Sequence, residues 1–179
     1  MNRSPLTFLS LKFLRVHVAA DFKSEQKGEK VDKFDFSGNK VGWTIKHGHH
    51  DDGSWWVAVG FRNTNEDVEV IAPYLIDVQA IGSFIVGKLP PNIIEEKIIY
   101  ESGGALVYGA IRDMVSSITA RAVPGHVMLP TPTFLGEFEL HQKKLVDSSA
   151  NGKDDPPFSF EVHSNEKPKK TGVKRKLVK

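Results

Sequence analysis

The feature that most constrains this chain is a change of hydrophobic period at Leu89-Pro90-Pro91. Ahead of it, apolar residues alternate with a period of two, the mark of strands. Val41, Trp43 and Ile45 alternate with Gly42, Thr44 and Lys46, which predicts a half-buried strand. Trp55, Val57, Val59 and Phe61 alternate with Trp56, Ala58 and Gly60, so both faces of the next strand are apolar. A first strand is expected over residues 9–20, where Phe13-Leu14 disturbs the alternation, and a long one over residues 70–86. Short polar turns at residues 47–53 and 63–66 separate the later strands, and residues 23–40, rich in Lys, Gly, Asp and Ser, form a loop. Behind the prolines the period is helical. Val107, Ile111, Met114, Val115 and Ile118 fall on one face of a helix over residues 104–121. Residues 87–100 make a crossing segment, because a Pro-rich run cannot continue a central strand. Residues 127–133, with Pro130 and Pro132, must be extended, and residues 134–146 suit a second, shorter helix. Strands followed by helices predict the α+β class: a four-stranded antiparallel meander, a crossover, one long helix and a shorter one.

At 179 residues and 40% hydrophobic, one domain can bury its own core without a disulfide or metal staple. The whole-chain charge of +2 conceals a division. Lys167, Lys169, Lys170, Lys174, Arg175, Lys176 and Lys179 stand against Glu166 alone, so the body ahead of them is net acidic. Such a run of like charge is expected to be solvated and disordered when free. Residues 1–147 are therefore read as the domain and 148–179 as a flexible linker and basic tail. Lys12, Arg15 and His17 interrupt the apolar start of the chain, against a secretory signal. No stretch reaches the length of a membrane span, so a cytoplasmic protein without membrane insertion is expected.

Several chemistries have no residues to perform them. Without cysteine there is no thiolate metal site, iron–sulfur cluster or cysteine nucleophile. No phosphate loop, nucleophile elbow or His-Glu-x-x-His motif occurs. The carboxylate pairs Asp51-Asp52, Glu66-Asp67, Glu95-Glu96 and Asp154-Asp155 are adjacent and in polar surroundings, which fits solvated turns better than acid–base catalysis. His47, His49, His50, Asp51 and Asp52 are the residue types of a zinc or nickel site. They lie in a hairpin turn without partners to orient ligands, so neither a metal nor another cofactor is expected there. The basic tail could neutralise phosphates, but no aromatic is interleaved among its charges to stack on bases. Nucleic-acid binding through the tail is the alternative function, and an enzyme is not expected.

The segment RDMVSSITARAVPGHVMLPTPTFLGEF, residues 112–138, resembles the SecB family of export chaperones. Arg112-Asp113, Arg121, Val127, Leu129 and Phe134 fall on the family's Arg-acid pair, the end of its long helix and its extended Leu-x-Leu-x-Pro-x-x-Phe loop. APYLIDVQAIGSFIV, residues 72–86, is similar to the family's fourth strand at Asp77, Val78 and Phe84, and residues 11–22 are similar to the first. Together the likeness covers residues 9–140. Gly109-Ala110 stands where the family often has Pro-aromatic.

The resemblance implies an ATP-independent holdase that wraps unfolded polypeptides along apolar grooves. It implies a homotetramer, a dimer of dimers with long helices between two sheets. Its clients would be export preproteins, delivered to the SecA motor, or a dedicated client such as an antitoxin. Typical export members carry strong acidic charge for SecA docking, and this chain has a basic tail, so both roles stay open. On this basis Trp43, Phe84, Val127, Leu129, Phe134 and Phe138 are expected to bind clients, with core packing as the alternative for each ring. Val107, Ile111, Met114 and Ile118 are expected at the subunit interface.

Overall fold

The computed structural model describes residues 5–22, 34, 36, 38–68, 70–134, 138, 139 and 161–164, the last as backbone alone. Strands β1 (Leu6–Ala20), β2 (Lys40–His49), β3 (Trp55–Thr64) and β4 (Tyr74–Val86) precede α1 (Glu95–Ile98), a π-helical stretch (Ile99–Gly103) and α2 (Gly104–Thr119), and β5 (Glu161–Ser164) follows. All pairings are antiparallel, and the sheet order is β1-β4-β3-β2-β5. The α+β class with an antiparallel sheet and a long helix is thus as expected. The meander holds for β2, β3 and β4. It fails for β1, which lies beside β4 at the far edge and not beside β2. A hairpin needs a short loop, and residues 21–39 are long enough to cross from one edge of the sheet to the other.

Each turn has its own chemistry. Between β2 and β3, Gly53 takes φ +80°, and Asp52 Oδ1 accepts from the Ser54 N–H at 2.9 Å and hydroxyl at 2.6 Å. These hydrogen bonds hold the Asp52 carboxyl below its usual pKa. Between β3 and β4, Asn65 Oδ1 accepts from the Ala72 N–H at 2.8 Å, while its Nδ2 donates to the Ala72 carbonyl at 2.9 Å. That clasp leaves residues 70–73 as loop, so β4 starts at Tyr74 and not at Val70. β1 carries two bulges, which leave Leu9 and Leu14 without a strand partner. The disturbed alternation at Phe13-Leu14 is the second of them.

One face of the sheet carries the core. Val41, Val57, Val59, Phe61, Ile76, Val78, Ala80 and Phe84 meet Ile99, Val107, Ile111 and Val115 from the helix. Phe36 joins them from the β1–β2 connection, its ring 5.8 Å from Phe61. Helical backbone begins at Glu95 and runs unbroken through the π-helical stretch into α2, so the crossing segment expected over residues 87–100 is helical from its middle onward. Glu95 and Glu96 favour a start there, since acidic groups in a first turn meet the positive end of the helix dipole. Gly103 and Gly104 lie inside this helical run. A Cβ on Gly103 would sit 3.1 Å from Val57, and one on Gly104 would collide with Ile45, so the glycines let the helix approach the sheet. α2 ends at Thr119, two residues short of the expectation. Of the second helix expected over residues 134–146, Phe134 lies outside helix, Phe138 and Glu139 are helical, and the rest lies outside the described residues. No helix among the described residues is long and apolar enough to cross a membrane.

Candidate functional site

The segment after α2 is sewn down by hydrogen bonds. The Tyr74 hydroxyl donates to the Gly125 carbonyl at 2.7 Å, the Val127 N–H to Thr119 Oγ1 at 3.1 Å, and the Tyr108 hydroxyl to the Pro130 carbonyl at 2.8 Å. Burial pushes the Tyr108 hydroxyl well above its ordinary pKa, so it remains a donor. Alternation then divides residues 127–129: Val127 and Leu129 are buried and Met128 is exposed.

Past Pro130 the segment lifts away from α2 and leaves a cleft of about 350 Å³, lined by Glu101, Ser102, Ala105, Pro132, Thr133 and Phe134. Phe134 forms one wall, its ring 5.9 Å from that of Tyr108. Ile45 on β2 reaches the same place through Gly104, where an added Cβ would meet both Ile45 and Phe134. Trp43 lies two residues along the same face of β2, half-buried against the core. The Phe138 ring lies 5.8 Å from that of Tyr100, and Lys97 pairs with Glu139. Their hydrogen bond raises the Lys97 pKa and lowers that of Glu139, which keeps both charged.

The residues expected to bind clients therefore separate. Phe134 is half-buried in the wall of the cleft, and Trp43 is half-buried against the core on β2. Phe84, Val127, Leu129 and Phe138 are covered by the subunit itself, Phe84 beneath Phe8 at 5.4 Å and beside Gly82 and Gly103. Val107 and Ile111 likewise face the sheet, because the strongest apolar stripe of an amphipathic helix is the one its own core claims. Met114 is half-buried and Ile118 is exposed. Ile45, Tyr100 and Tyr108 escaped the sequence reading. Ile45 carried a signal, since it follows Trp43 on the same face of the strand, whereas the tyrosines occupy a crossover and a helix whose contacts only the fold reveals.

The histidines of the β2–β3 hairpin are taken apart by strand geometry. His47 Nε2 meets Glu96 Oε1 on α1 at 2.9 Å, with the Tyr100 ring 5.7 Å away. His49 lies on Trp55 at 3.6 Å between ring centroids, and His50 Nε2 is 3.4 Å from the Ser83 hydroxyl. Among the described residues no three His, Asp or Glu side chains converge as a metal site would require. His47 thus fastens the crossover helix to the edge strand.

Comparison with known proteins gives structural matches alone. No family and no curated protein sequence is matched by the chain. Among solved structures, the chain is similar to the Mycobacterium tuberculosis Rv1957 SecB-like chaperone, determined in complex with a ChAD peptide from the Rv1956 HigA1 antitoxin. That match has 14% identity and a TM-score of 0.44, over 72% of this chain and 88% of that one. It is also similar to a Streptococcus agalactiae protein of unknown function, with 13% identity and a TM-score of 0.41, over 69% of this chain and 95% of that one.

Proposed function

We propose that this protein is an ATP-independent holdase that binds unfolded or aggregation-prone polypeptide, in the manner of the SecB family. The observation that carries the reading is the cleft between the helical run and residues 132–134, with Phe134 in its wall and Ile45 packed against the adjoining Gly104. Apolar surface left at a concave, accessible place marks an interaction site. An extended chain fits it, because every second side chain of a strand turns to one face and can bury there. Selectivity is low, since apolar burial is not directional. The element order supports the same reading: four strands, a crossover, a long helix and an extended loop lie where the resemblance of residues 72–86 and 112–138 requires them. Clients are preproteins or one dedicated protein such as an antitoxin, in the cytoplasm.

Assembly as a dimer of dimers belongs to the proposal. The surface of α2 available for it is formed by Leu106, Met114 and Ile118, with Val107 and Ile111 facing inward. The test mixes the purified protein with a refolding, aggregation-prone substrate. Light scattering should fall at one tetramer per substrate, and no suppression at that ratio would sink the holdase reading. Phe134→Ser should weaken capture about tenfold, in line with the 1.5–3 kcal/mol of burying one large ring.

A further inference from the structure

Ala105, Tyr108, Arg112 and Ser116 follow one another on α2 at spacings of three and four, so they form one stripe along the helix. The segment after α2 runs back along that stripe. His126 Nε2 lies 2.7 Å from the Ser116 hydroxyl, the Tyr108 hydroxyl bonds the Pro130 carbonyl at 2.8 Å, and Pro132, Thr133 and Phe134 line the cleft together with Ala105. Arg112 is the charged member of the stripe, one turn from Ser116 and one turn from Tyr108. Its Nε is buried without a hydrogen-bond partner, and no ion pair reaches its guanidinium among the described residues. A buried donor left without an acceptor carries the full cost of its desolvation. Asp113 does not relieve it, because neighbours in sequence point to different sides of a helix and Asp113 is exposed. Helical side chains lean toward the N-terminus. For Arg112 that is the direction of Tyr108 and of the cleft beyond it, and its charge is felt at the Tyr108 hydroxyl.

We infer that Arg112 is the carboxylate-binding residue of the cleft, and that it receives a carboxylate of an extended polypeptide whose apolar side chain lies against Phe134. The ligand named here rests on the holdase reading. The guanidinium fits a carboxylate because its N–H groups form a planar fork that matches two oxygens at once. The charged residue in the lining of the cleft is Glu101, 3.9 Å from Lys97. Negative charge is therefore drawn to the Arg112 end and basic charge to the other, which gives a bound chain a direction. Spacing follows from geometry. Arg112 stands seven residues beyond Ala105, roughly 10 Å along the helix axis. Its own lean shortens that span, which an extended chain crosses in about two or three residues. The carboxylate thus belongs two or three residues past the apolar side chain. A C-terminal carboxylate and an Asp or Glu side chain supply the same chemistry there.

The test uses the full chain and three fluorescein-labelled peptides that share a run of alternating Phe and Ser. One ends two residues after its last Phe in a free carboxylate, one ends there in an amide, and one ends in an amide with Glu at that place. Fluorescence anisotropy at low salt should show the free carboxylate bound about fivefold more tightly than the plain amide, as for one charge-assisted pair at a partly exposed site. In Arg112→Gln the ratio should fall to about one. In Arg121→Gln, which removes the same charge elsewhere on the chain, it should persist. A gain by the Glu peptide as well assigns the site to carboxylates of either source, and a gain by the free terminus alone assigns it to chain ends. No gain from either carboxylate, or a gain that survives Arg112→Gln, overturns the inference. A second measurement needs no peptide. The Nε–H signal of Arg112, assigned by its loss in Arg112→Gln, should move on titration with sodium acetate and not with sodium chloride at equal ionic strength. Equal shifts overturn the carboxylate site. If none of the peptides binds, the holdase reading falls and the polypeptide ligand with it, while the acetate titration still decides the site.

Discussion

Asn63 shows how one buried polar side chain can define the end of a sheet. It accepts the Ile76 N–H at 2.7 Å and donates to the Tyr74 carbonyl at 2.9 Å. Asn39 donates to Asn65 and to the Val70 carbonyl, both at 3.0 Å, and Asn65 donates to Asp21 at 3.0 Å. Three asparagines thereby tie the ends of β1, β2, β3 and β4 together. Asn63→Ala strands two buried backbone groups and should cost about 1–3 kcal/mol, read from urea unfolding. Tyr108 gives a pH-dependent counterpart. In the unfolded chain it loses its proton near pH 10, at about the usual tyrosine pKa. In the folded protein burial holds the proton on to higher pH. The native state then binds more protons, so stability falls as pH rises above about 10. Urea unfolding at several pH values should show a shallower decline for Tyr108→Phe. At neutral pH this variant should be about 0.5–1.5 kcal/mol less stable, from the lost bond to Pro130. None of these partners is legible in sequence, because hydrogen bonds across 11 or 22 positions depend on which segments meet.

The elements themselves were mostly legible, because each obeys a period that its own residues impose. β2, β3 and α2 follow directly from the spacing of Val41, Trp43 and Ile45, of Val57, Val59 and Phe61, and of Val107, Ile111 and Val115. A glycine can admit a close neighbour or only cost conformational entropy. At 103 and 104 it admits the sheet. Two glycines make the distinction measurable. A Cβ on Gly82 would lie 2.7 Å from Val107 and 2.9 Å from the Phe84 ring, whereas one on Gly109 meets nothing within 4 Å. Gly82→Ala should therefore destabilise by about 1–3 kcal/mol through overpacking beneath α2. Gly109→Ala should stabilise by about 0.4–1 kcal/mol through the unfolded chain. Urea midpoints of the two variants check the opposite signs.

Among the described residues, one sheet face is covered by the helical run Glu95 to Thr119 and the segment after it, and apolar surface remains exposed elsewhere. Phe8, Leu9, Leu14, Val16 and Ile85 are exposed on or beside β1, as is Leu106 on α2. Surface of that extent suits association. Leu106→Glu should shift sedimentation equilibrium toward smaller species and leave the urea midpoint of the subunit unchanged within about 0.5 kcal/mol, as for an exposed substitution. If both forms sediment alike, α2 is not part of the interface.

What the sequence determined alone is the order and type of β1 to β4 and α2, the acidic body with its basic tail, and the exclusion of cysteine chemistry. These depend on residue identity and on local periodicity, which act over a few positions. Tertiary structure decided that β1 leaves the meander and lies beside β4. It turned Val107, Ile111, Phe84, Val127 and Leu129 inward, left Phe134 in the wall of the cleft, and separated His47 from His49 and His50. It also set residues 161–164 on the β2 edge, more than a hundred positions from their partner. The physical reason is common to all of these: an apolar side chain specifies that it must be covered, and only the assembled fold specifies by what.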